Sequence, residues 1–224
     1  MSQNEVLGAS PNTKTEHDAL ENIRLFSLLS IVGFVIDAAI AVISVFYITS
    51  LLSSLLQTSA VSPSLLGFDV AIIVMGVVAA ILLLLSFVFL RRGYRTLKGI
   101  STAFSSPYTG VNLFFIGLVL VVVGAIVFIP IALLHVSLAH IAIGMIVVVL
   151  IGAVMSFVGE ILALIVGSFR LKTQFNNSTY GTAGIMFIIG IFIPFLPMVG
   201  AILLYTATNS QLKKEPRIQK NLAQ

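Results

Sequence analysis

Long runs of apolar residues, each bounded by a short polar segment, recur along the whole of this 224-residue chain. Runs of about 18 or more such residues predict membrane-spanning helices, because a helix satisfies its own backbone hydrogen bonds in hydrocarbon. Charged residues make up only 9% of the sequence, whereas a soluble domain carries about 25%. The sequence therefore predicts an all-α, polytopic transmembrane bundle of about five helices.

The spans are predicted at about 25–47, 68–90, 111–134, 143–169 and 183–207, within one helical domain that covers residues 23–208. A polar, partly disordered N-terminal tail is predicted over residues 1–22, and a basic C-terminal tail over residues 209–224. The N-terminal tail lacks the basic segment, short apolar core and cleavage site of a signal peptide. We therefore expect the first span to act as an uncleaved signal anchor.

The last apolar run contains Pro194 and Pro197 near its middle. Since proline removes a backbone donor and disturbs a helix interior, this run is either a Pro-kinked span or a re-entrant hairpin. Each half is about a dozen residues, a length typical of re-entrant segments. We favour the kinked span, because a re-entrant loop needs protein around it.

Basic residues indicate the orientation of the bundle. The loop after the second span contains four of them, Arg91, Arg92, Arg95 and Lys98, and the fourth span ends in Arg170 and Lys172. Short loops rich in Lys and Arg stay in the cytoplasm, so we expect a cytoplasmic N-terminus. Five crossings would then place the basic tail outside, against the same rule. The four loop cations are also candidate contacts for anionic lipid headgroups, although we favour a simple topology signal as their explanation.

Two acids, Asp37 and Glu160, lie well inside apolar runs. Asp37 follows Arg24 by 13 residues and Glu160 precedes Arg170 by 10, which predicts a position near the bilayer centre for both, about 15–20 Å from the charged ends. A charged acid at that depth costs about 2.5–3.5 kcal/mol. The two side chains are candidates for a shared proton or cation site, or for hydrogen bonds that only join helices.

Small residues accompany both acids at the four-residue spacing of one helix face. Such residues let helix backbones approach closely, so we expect both acids to point into the bundle and the first and fourth spans to face each other. The candidate packing residues are Gly33 and Ala41 on the first span, and Gly152, Ser156, Gly159, Ala163 and Gly167 on the fourth.

Two functions remain open from these residues. The first is a structural or assembly component of a membrane complex, packed against lipid and against copies of itself or other membrane subunits. The second is a small proton- or cation-coupled transporter or channel subunit that uses Asp37 and Glu160. We expect no enzyme, since no nucleophile–base set and no phosphate loop occurs. No cofactor, metal or nucleic-acid partner is predicted, and cysteine is absent.

Three stretches carry a family resemblance. They are Leu20-Glu21-Asn22-Ile23-Arg24 before Ser27-Leu28-Leu29-Ser30, Arg92-Gly93-Tyr94-Arg95-Thr96-Leu97, and the closing segment from Gly184-Ile185 through Phe192-Ile193-Pro194 to Tyr205. On these the chain resembles an uncharacterised archaeal membrane family, domain of unknown function 973. The resemblance implies a polytopic archaeal plasma-membrane protein, and it supplies no functional residues.

Overall fold

The computed structural model describes the chain except for residues 1–10, 57–63, 134–138 and 223–224. All regular structure in the described part is helical, which confirms the predicted all-α class. The helices are α1 (Pro11–Leu56), α2 (Ser64–Ile100), α3 (Ser105–Leu133), α4 (Ala139–Glu160), α5 (Gly167–Phe175), α6 (Ser178–Gly190) and α7 (Leu196–Leu222). A 3-10 turn, Thr102–Phe104, precedes α3, and a π-helical segment, Ile161–Val166, joins α4 to α5.

Among the described residues, four stretches are long and apolar enough to cross a membrane, namely Lys14–Phe46, Val74–Ile100, Thr102–Gly124 and Ile146–Phe175. They correspond to the first four predicted spans, and the chain is a membrane protein with a helical bundle. Residues 57–63 between the first two spans and residues 134–138 between the third and fourth lie outside the described residues, as do residues 1–10 of the N-terminal tail, whereas its residues 11–22 belong to α1.

The fifth apolar run is a helical hairpin, and the kinked span that we favoured is wrong. Its two halves, α6 and α7, pack against each other in opposite directions, so that Gly190 lies against Pro197 and Phe187 against Gly200. The helix ends before Pro194 because a residue that precedes proline disfavours the helical conformation. Pro197 lies in the first turn of α7, where its missing N–H is not needed.

The hairpin brings the C-terminal segment back to the end of the bundle at which α5 ends and α6 begins. Gln211, on α7, donates from Nε2 to the backbone oxygen of Phe175 at the end of α5, over 3.0 Å. Gln174 donates to Glu16 Oε1 on the first turns of α1, over 3.4 Å. The basic tail therefore lies beside the ends of α1 and α5, and the conflict with the positive-inside rule disappears.

A tight turn directs α6 back along α5. Asn176 adopts the left-handed conformation with φ 45°, which asparagine tolerates better than most residues. The side chain of Asn177 then caps α6 by accepting a hydrogen bond from the backbone N–H of Thr179 at 3.0 Å. The two asparagines thus end one helix and begin the next within a single turn.

The buried core lies toward this same end of the bundle. It joins the beginning of α1, the end of α2, the beginning of α3, the π segment with α5, and the α6–α7 hairpin. Beyond it α1 pairs with α2 and α3 pairs with α4, and their outer halves expose large apolar side chains such as Val45, Val78, Val123 and Leu150. Such side chains suit contact with hydrocarbon, because a helix apolar all round is a membrane span.

Candidate functional site

Asp37 is exposed and is not buried between helices of this chain. Its side chain is exposed on the outer half of α1, which packs on α2 and α7 in the described part of the structure rather than along α4. Gly33, one turn before Asp37, is buried, whereas Ala41, one turn after it, is exposed, so the predicted stripe of small residues is covered at one end only. No other described residue donates a hydrogen bond to Asp37 or forms a salt bridge with it.

Glu160 lies in a cleft between the end of α4 and the tip of the hairpin. The cleft is open on one side and has a volume of about 170 Å³, and among the described residues that line it Glu160 alone is ionisable. The other lining residues are apolar: Phe157, Ile161, Leu164, Ile165, Phe187, Gly190, Ile191 and Pro197. Among the described residues Glu160 has neither a hydrogen-bond donor nor a cationic partner. The cleft is therefore lined by apolar side chains and one carboxyl group that has no partner among the described residues.

The packing of the helices fixes the level of Glu160 along the bundle. Phe87 of α2 stacks on Phe114 of α3 with ring centroids 3.9 Å apart, and Phe114 in turn accepts a hydrogen bond from Ser156 of α4 at 3.3 Å. Since α2 and α4 run in the same direction, one turn beyond these contacts brings both helices to Arg91 and Glu160. Glu160 therefore lies within about one helical turn of the level of Arg91.

This level differs from the mid-membrane depth that the count from Arg170 predicts. Gly93 of α2 lies against Ala19 and Ile23 of α1, which places Arg24 at about the same level along the bundle as Arg91. The helix that carries Glu160 continues through the π segment and α5 to Phe175, so Arg170 lies about 15 Å beyond Glu160 on the side away from Ser156. Asp37 lies 13 residues beyond Arg24 in the opposite direction, about 20 Å away along the axis. The structure thus does not bring the two acids together.

A π-helical segment directly follows Glu160. The wider turns of a π-helix displace backbone carbonyls from their usual partners, and such segments often occur at functional sites. The hydroxyl of Tyr94 on α2 donates to the carbonyl oxygen of Ala163 over 2.8 Å. Gly167 lies against the Tyr94 hydroxyl, so closely that a Cβ atom on residue 167 would clash with it. This buried contact joins α2 to the irregular part of the fourth span.

Helices α3 and α4 approach backbone to backbone. A Cβ atom on Gly152 would lie 2.7 Å from the carbonyl oxygen of Gly117, and one on Gly159 would lie 2.4 Å from the backbone nitrogen of Phe114. Ser156 lies between them and bonds to the carbonyl of Phe114. The packing positions expected at these three residues of α4 thus form a real interface with α3.

The sequence patterns did not predict the glycines of α3 that pack against α4. Gly110, Gly117 and Gly124 recur every seven residues, and each lies against α4 or the π segment so closely that a Cβ atom would approach a neighbour to 2.5 Å or less. Their seven-residue period, which places all three on one helix face, is the signal that could have identified them.

The remaining packing candidates divide between the two spans. Ala163 is fully buried and Gly167 contacts Tyr94, so both belong to helix interfaces. By contrast Ala41 is exposed, and a Cβ atom on Gly33 would meet no atom within 4 Å. Ala41 therefore makes no close helix contact within the described part of this chain, and Gly33, although buried, has no atom within 4 Å of where its Cβ would be.

The four basic residues predicted to lie in a loop are on the last turns of α2, and all four are exposed. Arg170 and Lys172 of α5 and Lys213 and Lys214 of α7 are exposed as well. Two of them pack on aromatic rings, with Arg92 Cζ 5.8 Å from the ring of Phe89 and Lys98 Nζ 5.0 Å from that of Tyr108. The whole set gathers at one end of the bundle: Arg91, Arg92, Arg95, Lys98, Arg170, Lys172, Lys213 and Lys214.

A second buried tyrosine ties the hairpin together at that end. The hydroxyl of Tyr180 in the first turn of α6 donates to Thr208 Oγ1 of α7 over 3.3 Å, and Thr208 donates to the carbonyl of Leu204. Burial raises the pKa of Tyr180 to about 12, because the phenolate would lose its hydration. The neutral phenol is therefore the form that the folded hairpin favours.

Comparison with known proteins adds a family and no activity. A family model described as a protein of unknown function (DUF973) matches residues 16–224, which is nearly the whole chain. No curated protein and no solved structure matches the sequence.

Proposed function

Because the chain belongs to the DUF973 family of unknown function, we propose its role from geometry: a non-enzymatic structural subunit that assembles with a second copy of itself in the membrane. The observation that carries this proposal is the exposed position of Asp37 on the outer half of α1. The outer face of α1 would form the contact between the two copies.

An exposed carboxyl group about 20 Å from the nearest cation of its helix lies deep in hydrocarbon. Insertion there costs about 2.5–3.5 kcal/mol, and more when the group is charged and without a partner. A polar group in this environment gains about 0.6–2 kcal/mol from one hydrogen bond across a helix interface. Cover by another protein helix therefore stabilises the chain where lipid would not.

The surroundings of Asp37 suit a close helix contact. Ala41, one turn after it, is exposed, and Gly33, one turn before it, is buried but leaves more than 4 Å of space around a Cβ atom. In a two-fold symmetric contact the same residues meet from both copies, so two Asp37 carboxyls can share one proton. A symmetric pair also needs no cation, which matters because the spans contain no Lys or Arg at this depth.

The absence of cysteine permits a direct test by cross-linking in native membranes. We expect the Ala41→Cys variant to form a disulfide-linked dimer on mild oxidation. Val123→Cys is the matched control, because Val123 is 51% exposed at about the same level on α3. Adding Asp37→Leu to Ala41→Cys should reduce the dimer several-fold. Equal cross-linking at positions 41 and 123, or none at position 41, would refute the proposal.

Orientation and location belong to the same proposal. We place the N-terminus, the C-terminal tail and the four-cation loop in the cytoplasm of a cell with this protein in its plasma membrane. The support is the exposed cations gathered at one end, together with the rule that Lys and Arg stay on the cytoplasmic side. Arg91, Arg92, Arg95 and Lys98 would then contact anionic headgroups, each worth about 1 kcal/mol.

The transporter alternative gains no support from the geometry of the acids. A coupling site shared by Asp37 and Glu160 requires them within one cavity, whereas they lie on different helices and at different levels. The assembly role needs only Asp37, and it is the function that we favour.

A further inference from the structure

The cleft beside Glu160 combines two features that assembly through α1 does not explain. Its volume is about 170 Å³, the side chains that line it beside Glu160 are apolar, and the Glu160 carboxyl group, without a partner among the described residues, forms part of its surface. An apolar cavity of about 150 Å³ is enough to hold a benzene molecule. The recess therefore has room for a ring or a short branched chain beside the carboxyl group.

The position of the cleft makes the carboxyl group reachable for a cation. Glu160 lies within about one turn of the level of Arg91, where cations gather at the end of the bundle. The hairpin tip that forms the other wall, Ile191–Phe195, exposes Phe192 to 82% and Phe195 to 69%. A ligand that carries both a cationic group and an apolar body could enter from this boundary between headgroups and hydrocarbon.

We infer that this cleft binds a small hydrophobic ammonium compound, whose cationic nitrogen pairs with the Glu160 carboxylate and whose apolar body occupies the recess against Leu164 and Phe187. A carboxylate forms its strongest hydrogen bonds with charged N–H donors. The apolar walls favour a cation with little surface that needs water. The amine of a lipid headgroup and a free organic amine share this chemistry.

The probe is benzylammonium, and the neutral ethylbenzene is its isosteric control. Binding to the full-length protein in phosphatidylcholine nanodiscs is measured by saturation-transfer NMR. The Glu160→Gln variant should weaken benzylammonium binding at least about tenfold, the effect of losing one hydrogen bond to a charged group. The same variant should leave ethylbenzene binding unchanged. Asp37→Asn, which removes the other intramembrane acid, should change neither affinity.

A second variant keeps the carboxylate and fills the recess. Ile191→Trp should weaken both benzylammonium and ethylbenzene several-fold, because the indole ring takes up space that the ligand's body needs. A helical circular dichroism spectrum for each variant shows that it has folded. Unchanged benzylammonium binding in Glu160→Gln, or an equal loss in Asp37→Asn, would overturn the inference, and so would failure of the native protein to bind at millimolar concentration.

The lipid content of the nanodiscs separates the two sources of the amine. If a lipid headgroup is the natural occupant, phosphatidylethanolamine in the bilayer should compete and weaken benzylammonium binding, and Glu160→Gln should remove the competition. If a free amine is the natural ligand, phosphatidylethanolamine should have no effect. Either result supports the site. Since the site lies apart from α1, its outcome is independent of cross-linking at position 41.

Discussion

Replacement of Gly117 by alanine tests the close approach of α3 and α4. A Cβ atom at this position would lie 2.4 Å from the carbonyl oxygen of Gly152 and 2.5 Å from the backbone nitrogen of Ser156, while ordinary contact begins at 3.4 Å. Both neighbours are backbone atoms of a helix and cannot rotate away. The two helices must therefore separate locally by about 1 Å, the difference between 3.4 and 2.4.

The expected loss follows from that separation. A gap of about 0.5–1 Å removes a quarter to a half of the dispersion energy of the contacts on either side. Overpacked sites lose typically about 1–3 kcal/mol of stability. Alanine also recovers about 0.5–1 kcal/mol of helix propensity over glycine. We therefore expect Gly117→Ala to be less stable than a glycine-to-alanine change at an uncrowded helix position by about 1–3 kcal/mol, because the propensity gain is common to both.

The assay is reversible unfolding in mixed micelles of a mild detergent and dodecyl sulfate, followed by circular dichroism. Gly144→Ala is the matched control, since Gly144 lies on α4 and a Cβ atom there would meet nothing within 4 Å. That variant should be as stable as the native protein or slightly more so. If Gly117→Ala is as stable as Gly144→Ala, backbone contact does not hold α3 and α4 together and our reasoning fails.

Three further predictions follow from the buried tyrosines and the returning hairpin. Tyr94→Phe removes the donor to the carbonyl oxygen of Ala163 and should cost about 1–3 kcal/mol of unfolding free energy in the same assay, because that carbonyl is buried; no loss would mean that the π segment satisfies its own carbonyl. Burial raises the pKa of Tyr180 to about 12, above the ordinary value of about 10. The folded state therefore holds this proton more tightly, so the stabilisation is complete below pH 10 and falls by about 2–3 kcal/mol as the pH rises toward 12. The difference in melting temperature between native protein and Tyr180→Phe should shrink over that range, and a constant difference would contradict the assignment. In sealed vesicles, cysteines placed at Ser210 and at Thr102 should react with an impermeant maleimide from the same side; opposite sides would show that the last apolar run crosses the membrane.

The sequence predicted the membrane-spanning helices well, because their signal is local. Each span follows from the length of an apolar run and the polar residues that end it, and no knowledge of neighbouring helices is needed. The small residues of α4 were also predicted to pack, and Gly152, Ser156 and Gly159 do lie against α3. Helical periodicity identified that face, whereas the partner helix was assigned only by the structure.

The sequence did not predict whether a helix face meets protein or lipid, or whether the apolar run interrupted by prolines crosses the membrane or turns back. In a soluble helix an apolar stripe shows the inside, but in a membrane both lipid and protein are apolar, so hydrophobicity does not tell them apart. For this reason Asp37 was placed inside although its side chain is exposed. The same ambiguity affects the depth of Glu160 in the membrane. Counting from Arg170 places Glu160 near the bilayer centre, whereas the packing of α2, α3 and α4 places it near the level of Arg91.

The sequence alone therefore determined that this protein crosses a membrane as helices, and it determined which residues are polar enough to need a partner there. Only the tertiary structure decided that Pro194 marks the turn of a hairpin, and that the basic tail returns to the other cations. The physical reason is that backbone hydrogen bonds within a helix are local, whereas a choice between kink and turn depends on the free energy of packing against α1 and α5. That packing involves residues far apart in the chain, which no local pattern encodes.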